Sequence, residues 1–129
     1  MIVVDTSALI AILKLEAMSD VCSTALSADQ NVLMSAGTLV EARIVAIRGG
    51  RLHDLDAMID ATVTKIIPVT RERAIAISNA YSSWGKGFHP AALNFGDCFA
   101  YATAQEFDCP LLFIGDDFSR TDIKQAIVA

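Results

Sequence analysis

Four short apolar runs, separated by longer segments with a different spacing of apolar residues, restrict the folds open to this chain. The runs are "MIVVD" (1–5), "NVLMSA" (31–36), "KIIPVT" (65–70) and "PLLFIG" (110–115). Their length and apolar content predict buried strands, and Pro68 predicts an edge position for the third. Strands that alternate with helices predict an α/β fold of three α/β/α layers, with a mostly parallel sheet of four to five strands.

The connecting segments carry apolar residues at helical spacing. We predict helices over 6–16 with Thr6 or Ser7 as N-cap, over 37–48, over 51–63, over 71–84 with Thr70 as N-cap, and over 95–107. In the second of these helices, an apolar stripe consists of Leu39, Val40, Ile44 and Ile47. The last residues, "AIVA" (126–129), are a candidate fifth strand.

Length and composition indicate one domain that spans 1–129, because cores of about 100–150 residues are typical of single domains. The apolar runs are shorter than the roughly 20 residues of a membrane span, and the start lacks the features of a signal peptide. We therefore expect a cytoplasmic protein without a membrane partner. Three cysteines without CxxC spacing indicate buried free thiols rather than disulfides or a zinc site.

The net charge of −5 argues against a simple nucleic-acid-binding module, which normally presents a basic surface. It leaves open an enzyme whose acids hold divalent cations, since bound metals invert the local sign of charge and attract phosphate. The distribution of the acids is therefore more informative than their total.

Five acids lie at positions that the predicted fold brings to one edge of the sheet. Asp5 ends the first strand, Asp116 and Asp117 follow the last one, Glu41 lies one turn into a helix, and Asp97 lies in the first turn of another. Ligands in such sheets bind beyond the carboxyl ends of the strands. Clustered carboxylates repel one another unless a counter-ion is present, and hard oxygen ligands suit Mg²⁺ or Mn²⁺. The pattern predicts a metal site for phosphodiester hydrolysis.

Each acid also has a simpler explanation when it is considered alone. Asp5 could cap the helix that follows it, and Asp97 could complement a helix dipole. Asp116 and Asp117 could belong to a polar turn. Glu41 lies among apolar residues in "LVEARIV", yet it could still be solvated. The shared edge of the sheet, which these separate explanations do not require, favours a joint site.

Four segments carry a family resemblance that covers the chain from the first strand to the end. They are "MIVVDTSALIAIL", "SAGTLVEARIV", "FHPAALNFGDCFAYATA" and "PLLFIGDDFSRTDI", and together they closely resemble the PIN-domain ribonucleases, specifically the VapC-type toxins of bacterial toxin–antitoxin pairs. Residues 51–84 contribute little to it. The resemblance implies a Mg²⁺- or Mn²⁺-dependent endoribonuclease, inhibited by a VapB-like antitoxin that inserts a C-terminal segment across the site. It also implies a homodimer, and promoter DNA binding only through the antitoxin complex.

The resemblance assigns roles to individual residues. Asp5, Glu41 and Asp97 match the family's acids, and Asp117, with Asp116 in support, matches the acid of the "GDDF" turn. Ser7 resembles the hydroxyl that orients water or substrate, although a helix cap would explain it equally well. Among the basic residues, Arg43, Lys86 and Arg120 are candidates for RNA phosphate contacts.

Two other functions also occur in small α/β domains. A phosphorylation-controlled receiver domain needs an acceptor Asp after its middle strand and a Lys after a later one, and neither is present. A PIN-fold interaction module that has lost nuclease activity usually lacks one or more acids. All four acid positions are filled here, which favours an active enzyme.

Overall fold

The computed structural model describes residues 1–127, and their helices and strands alternate along the chain. The strands are β1 (Ile2–Val4), β2 (Val32–Ser35), β3 (Lys65–Ile67) and β4 (Leu111–Leu112). The helices are α1 (Thr6–Leu13), α2 (Ser19–Ala28), α3 (Ala36–Arg48), α4 (Leu52–Thr62), α5 (Arg71–Trp84) and α6 (Phe95–Glu106), and a 3₁₀ turn spans Phe118–Arg120. The predicted α/β class is confirmed.

The four strands form one parallel sheet in the order β3-β2-β1-β4. Ile2 is in register with Val32, and Val3 is in register with Leu111. In this order the first, second and fourth strands are neighbours, and the predicted edge position of the strand before Pro68 is confirmed. Since all pairings are parallel, the carboxyl ends of the strands meet at one edge of the sheet.

Two apolar cores cover the two faces of the sheet, as expected where successive side chains of a strand point to opposite sides. Val3 belongs to the core beneath α5 and α6, whereas Val4 belongs to the core beneath α1 to α4. Both valines are fully buried. The three-layer α/β/α arrangement is therefore confirmed, with β1 between the two helical layers.

The helix predicted over 6–16 is wrong in its length and in its N-cap. Helix α1 ends at Leu13, and Leu15 then adopts a left-handed φ of 52°, which a continuing α-helix does not allow. Asp5, rather than Thr6 or Ser7, caps the helix by accepting the N–H of Ser7. The prediction also missed α2, because neither Gly nor Pro marks the break at Leu15.

Of the apolar stripe predicted for α3, Leu39 packs against the core and the other three residues do not. Val40, Ile44 and Ile47 are about half exposed, at 58%, 51% and 56%. The buried residues of α3 are instead the small Thr38, Ala42 and Ala46. Small side chains at spacing of four allow a close approach to the neighbouring helices. The larger residues are left on the outer side of α3.

The candidate fifth strand lies partly outside the described residues, because these end at residue 127. Within them, Gln125 forms an isolated parallel bridge with Leu111, next to β4. The predicted free thiols are confirmed, since Cys22, Cys98 and Cys109 are all buried and unpaired. No helix within residues 1–127 combines the length and apolarity that a membrane crossing needs.

Candidate active site

Asp5 lies at the carboxyl end of β1, between the last residue of this strand and the first residue of α1. Its Oδ2 accepts the Ser7 N–H at 3.1 Å and the Ser7 hydroxyl at 2.7 Å. The residue is only 3% exposed, and its Oδ1 is buried without a hydrogen-bond donor among the described residues. Helix capping is thus one role of Asp5. It does not account for Oδ1, whose burial without a partner is costly.

Ser7 connects the start of α1 to the end of β4. Its hydroxyl donates to Asp5 and also accepts the backbone N–H of Ile114 at 3.0 Å. These bonds hold the Asp5 carboxylate in place beside the neighbouring strand. The geometry therefore gives Ser7 an orienting role toward Asp5, whereas its predicted contact with substrate stays a prediction.

Asp97 lies in the first turn of α6, where it forms a reciprocal capping box with Asn94. The Asp97 N–H donates to Asn94 Oδ1 at 2.9 Å, and the Asn94 N–H donates to Asp97 Oδ2 at 3.0 Å. Asp97 is 8% exposed. An acid at this position stabilises the helix start and at the same time lies near the carboxyl edge of the sheet. The simpler helix-terminus explanation is therefore correct but incomplete.

Asp116 and Asp117 belong to an exposed turn after β4 that is anchored by the next residue. Phe118 is buried, and its ring packs 5.0 Å from that of Phe113. The Asp116 carbonyl accepts the N–H and the hydroxyl of Ser119, which closes the turn. The packing of Phe118 and the hydrogen bonds of Ser119 hold the backbone of the turn. They therefore limit the positions that the Asp116 and Asp117 carboxylates can occupy.

The ionisation of Asp97 shows which acids lie near one another. Burial is the main cause that raises the pKa of Asp97 from 3.8 to about 7, against the hydrogen bond from Asn94, which lowers it. Repulsion from three further acids also raises this pKa, and these are Asp5, Asp117 and Glu41. The structure thus places Asp5, Glu41 and Asp117 within electrostatic range of Asp97, although the four acids come from separate segments. Asp116 does not contribute to this repulsion.

Asp5 shows the same behaviour. Burial is the main cause that raises the pKa of Asp5 from 3.8 to about 6, although hydrogen bonds from Ser7 lower it. Repulsion from Glu41 adds to the increase. Glu41 itself is half-buried and lies against Gly96, in the first turn of α6. It therefore acts on both Asp5 and Asp97.

The four acids fit a hard divalent cation by their chemistry, since all their ligating atoms are carboxylate oxygens. The orphaned Oδ1 of Asp5 is a buried acceptor that a cation would satisfy. In residues 1–127, however, no three acidic, histidine or cysteine side chains converge on one point. The carboxylates of Asp5 and Asp97 instead bond to the starts of α1 and α6.

Within residues 1–127, the predicted RNA-binding cations form no ion pair with Asp5, Glu41, Asp97 or Asp117. Arg43 pairs with Asp56 of α4. Arg120 donates to the backbone carbonyl of Pro90 at 3.2 Å, and Lys86 is exposed. Arg120 and Lys86 keep charge available at the surface, whereas the charge of Arg43 is neutralised by its partner.

An exposed apolar face, which we define as Val40, Ile44, Ile47 and Phe95, was missed by the sequence analysis. Phe95 is 77% exposed and packs edge to face on Phe99, at 5.1 Å between ring centroids. Two grooves of about 360 and 380 Å³ lie on either side of this aromatic pair. Glu41 lines the smaller groove, so the apolar face is continuous with the acidic site. Monomeric proteins seldom expose large contiguous apolar patches, and such patches mark interaction sites.

A parallel α/β/α domain, with a buried Asp97 repelled by three further acids at the carboxyl edge of its sheet, defines the class of protein. The family model described as "PIN domain" matches residues 2–124, and the chain belongs to the PIN-domain family. Ribonuclease VapC30 of Mycobacterium tuberculosis is 40% identical over 126 residues, which cover 94% of this chain and 95% of that protein. The resemblance to VapC-type PIN domains is therefore confirmed.

Solved structures agree on the fold. The M. tuberculosis toxin VapC20, described as cleaving the sarcin–ricin loop, superposes with a TM-score of 0.75 at 19% identity and covers 95% of this chain and 96% of its own. A toxin–antitoxin complex from Klebsiella pneumoniae gives a TM-score of 0.71 at 20% identity, and covers 100% of this chain and 97% of its own.

Proposed function

We propose that this chain is a divalent-metal-dependent endoribonuclease, and the toxin of a VapBC-type pair. The observation that carries the proposal is the repulsion that Asp5, Glu41 and Asp117 exert on the buried Asp97, with acids from four segments at one edge of the sheet. Such repulsion is costly for a folded protein and is relieved by a bound cation. The names of the relatives support ribonuclease activity. A protein of this kind would act in the cytoplasm, where its RNA substrate is found.

The four acids would divide the chemistry among them. Asp5, Asp97 and Asp117 would hold Mg²⁺ or Mn²⁺, with Ser7 orienting Asp5; the exposed Asp116 is an alternative to Asp117. When bound, the ion supplies positive charge that stabilises the developing negative charge on the scissile phosphate. Glu41, as a further ligand or as the base, would orient the attacking water and accept its proton.

RNA would reach the acids over a surface with few cations. Lys86 and Arg120 are the residues we propose for phosphate contacts that flank the scissile bond, since Lys86 lies exposed in the turn after α5 and Arg120 lies exposed at the end of the 3₁₀ turn. Arg43 is a weaker candidate because its ion pair with Asp56 would have to open first.

We expect RNA cleavage by the purified chain to require Mg²⁺ or Mn²⁺ and to stop in EDTA, because the acids alone repel phosphate. The assay would follow a labelled RNA on a denaturing gel with each ion, with EDTA, and with Mg²⁺ restored. Activity that persists in EDTA would contradict the metal-dependent mechanism. If the folded chain cuts none of the RNAs offered with either ion, the alternative of an inactive PIN-fold interaction module gains support.

The proposed antitoxin partner matches the apolar face. A segment with apolar side chains would cover Ile44 and Phe95, and one basic residue on it would reach the acids past Glu41, which lines the same groove. The similarity to a toxin–antitoxin complex supports a partner of this class. We also propose a homodimer, and promoter DNA binding through the antitoxin alone.

Substituting Ile44 by lysine is expected to weaken binding of the proposed VapB-like antitoxin by about 10-fold or more, since it places a charge in an apolar contact. Folding should persist because Ile44 is 51% exposed. The affinity would be measured by calorimetry with the two purified proteins. Val21→Lys, on the exposed side of α2, is the matched control and should bind normally. Equal affinities for both variants would exclude the α3 side of the face as the contact.

A further inference from the structure

Helices α3 and α6 contact each other at two glycines, one on each helix. Each glycine faces a larger side chain of the other helix. Phe99 of α6 lies over Gly37 of α3, and Glu41 of α3 lies over Gly96 of α6. A Cβ built on Gly37 would lie 2.5 Å from Phe99 Cγ, and one built on Gly96 would lie 2.5 Å from Glu41 Cδ. Real Cβ atoms essentially never approach so closely. Each glycine therefore provides space that a larger residue would fill.

Space, rather than backbone conformation, explains the glycine at position 96. The glycines of residues 1–127 with a positive φ are Gly50, Gly87 and Gly115, so Gly96 has a backbone that other residues also adopt. It lies in the first turn of α6, where the backbone does not require a glycine. The space that the missing side chain leaves for a contact is therefore the feature that distinguishes glycine from other residues here. That contact is with the carboxylate of Glu41.

Gly96 is adjacent in sequence to Asp97, so its contact determines where the charge of Glu41 lies. With no side chain at position 96, the Glu41 carboxylate rests on the first turn of α6 and repels both Asp5 and Asp97. An alanine Cβ would push the carboxylate away, since the end of a glutamate side chain moves easily. The α6 backbone and the capping box of Asp97 would stay in place.

We propose that Gly96 is a positioning residue that places the Glu41 carboxylate beside Asp97 by leaving room for it on α6. The inference rests on the proposed function, because it assumes that Glu41 and Asp97 act on the same cation. It extends that function by assigning a role to a residue without a side chain. Binding of Mn²⁺ alone, measured apart from RNA cleavage, provides a readout that does not depend on turnover.

The test is a double-mutant cycle on Mn²⁺ affinity, measured by isothermal titration calorimetry for the wild type, Gly96→Ala, Glu41→Ala and the double variant. Gly96→Ala is expected to bind Mn²⁺ about 10-fold more weakly than the wild type, as for other residues that orient ligands. In the Glu41→Ala background, Gly96→Ala should cause no further loss, since the displaced carboxylate is no longer there. A purely structural role for Gly96 would not produce this dependence.

Gly49→Ala is the matched control, because a Cβ at position 49 would meet its nearest atom at 3.6 Å, an ordinary contact. Its Mn²⁺ affinity should equal that of the wild type, and thermal unfolding of all variants verifies the fold. An unchanged affinity in Gly96→Ala, or an equal loss with and without Glu41, would overturn the inference while the nuclease proposal stands. A wild-type protein that binds no Mn²⁺ would overturn both.

Discussion

Asp97→Asn is expected to reduce RNA cleavage by about 100- to 1,000-fold, since it removes one negative ligand from the proposed cation site. The fold should remain intact. An asparagine can still accept the Asn94 N–H through its side-chain oxygen, and its backbone N–H can still donate to Asn94. Asp5→Asn is expected to behave in the same way, because an amide oxygen can replace the acceptor for Ser7.

Cleavage would be measured with purified variants at saturating Mg²⁺ or Mn²⁺, after circular dichroism has verified the fold. Asp60→Asn is the matched control, because it makes the same chemical change on the exposed side of α4. It should retain wild-type activity. If Asp97→Asn and Asp5→Asn both cleave RNA at the rate of this control, the assignment of the acidic edge as the active site is wrong.

In the absence of metal, the same Asp97→Asn change is expected to stabilise the protein at neutral pH. The pKa of Asp97 lies near 7 in the folded state and near 3.8 when the side chain is exposed. Between these values the folded state holds the proton more tightly, so the wild type loses stability as the pH rises from about 4 to about 7. The uncharged asparagine avoids this loss.

We expect the free energy of unfolding of Asp97→Asn to exceed that of the wild type by about 1–3 kcal/mol at pH 8, less than the full pKa difference implies because water screens part of the repulsion. The advantage should vanish near pH 4. Urea denaturation at pH 4, 6 and 8 in EDTA would measure it. A difference that is constant across this range would mean that the substitution changes local packing instead of relieving charge.

Much of the fold follows from the alternation of strand-length and helix-length apolar patterns. The edge position of β3 was predicted from Pro68 and is confirmed, whereas the central position of β1 was not predicted. Helix α2 was missed because the chain turns at Leu15, a residue type that rarely adopts a left-handed φ and gives no warning of a turn. The single-domain organisation over 1–129 stays a prediction.

Periodicity identified α3 as a helix but could not say which side of it is buried. Ile44 and Ala42 are both apolar, and hydrophobicity alone favours burying the larger one. The structure buries Ala42, because neighbouring helices approach closely and only small side chains fit between them. An apolar stripe that binds a partner protein therefore has the same sequence pattern as one that packs in the core.

The acids of the site were predicted from their positions at strand and helix ends, and four of them influence one another in the structure. The positions of Asp116 and Asp117 along the chain did not separate them, and only the family resemblance favoured Asp117. They differ only in how the turn anchored by Phe118 directs them, and Asp117 is the one that acts on Asp97. The close contact between Glu41 and Gly96 could likewise not be predicted from the sequence, since it depends on the distance between two helices that are far apart in the chain.

The capping box of Asp97 has a consequence for how this protein would lose and regain an ion. Asp97 and Asn94 close the first turn of α6 with two hydrogen bonds whose donors and acceptors all come from the protein. The local backbone therefore needs no ion to form, unlike a zinc finger, whose chain collapses when its metal is removed. Removal of the metal would leave an inactive protein whose fold is intact. Adding the metal back would restore activity without refolding.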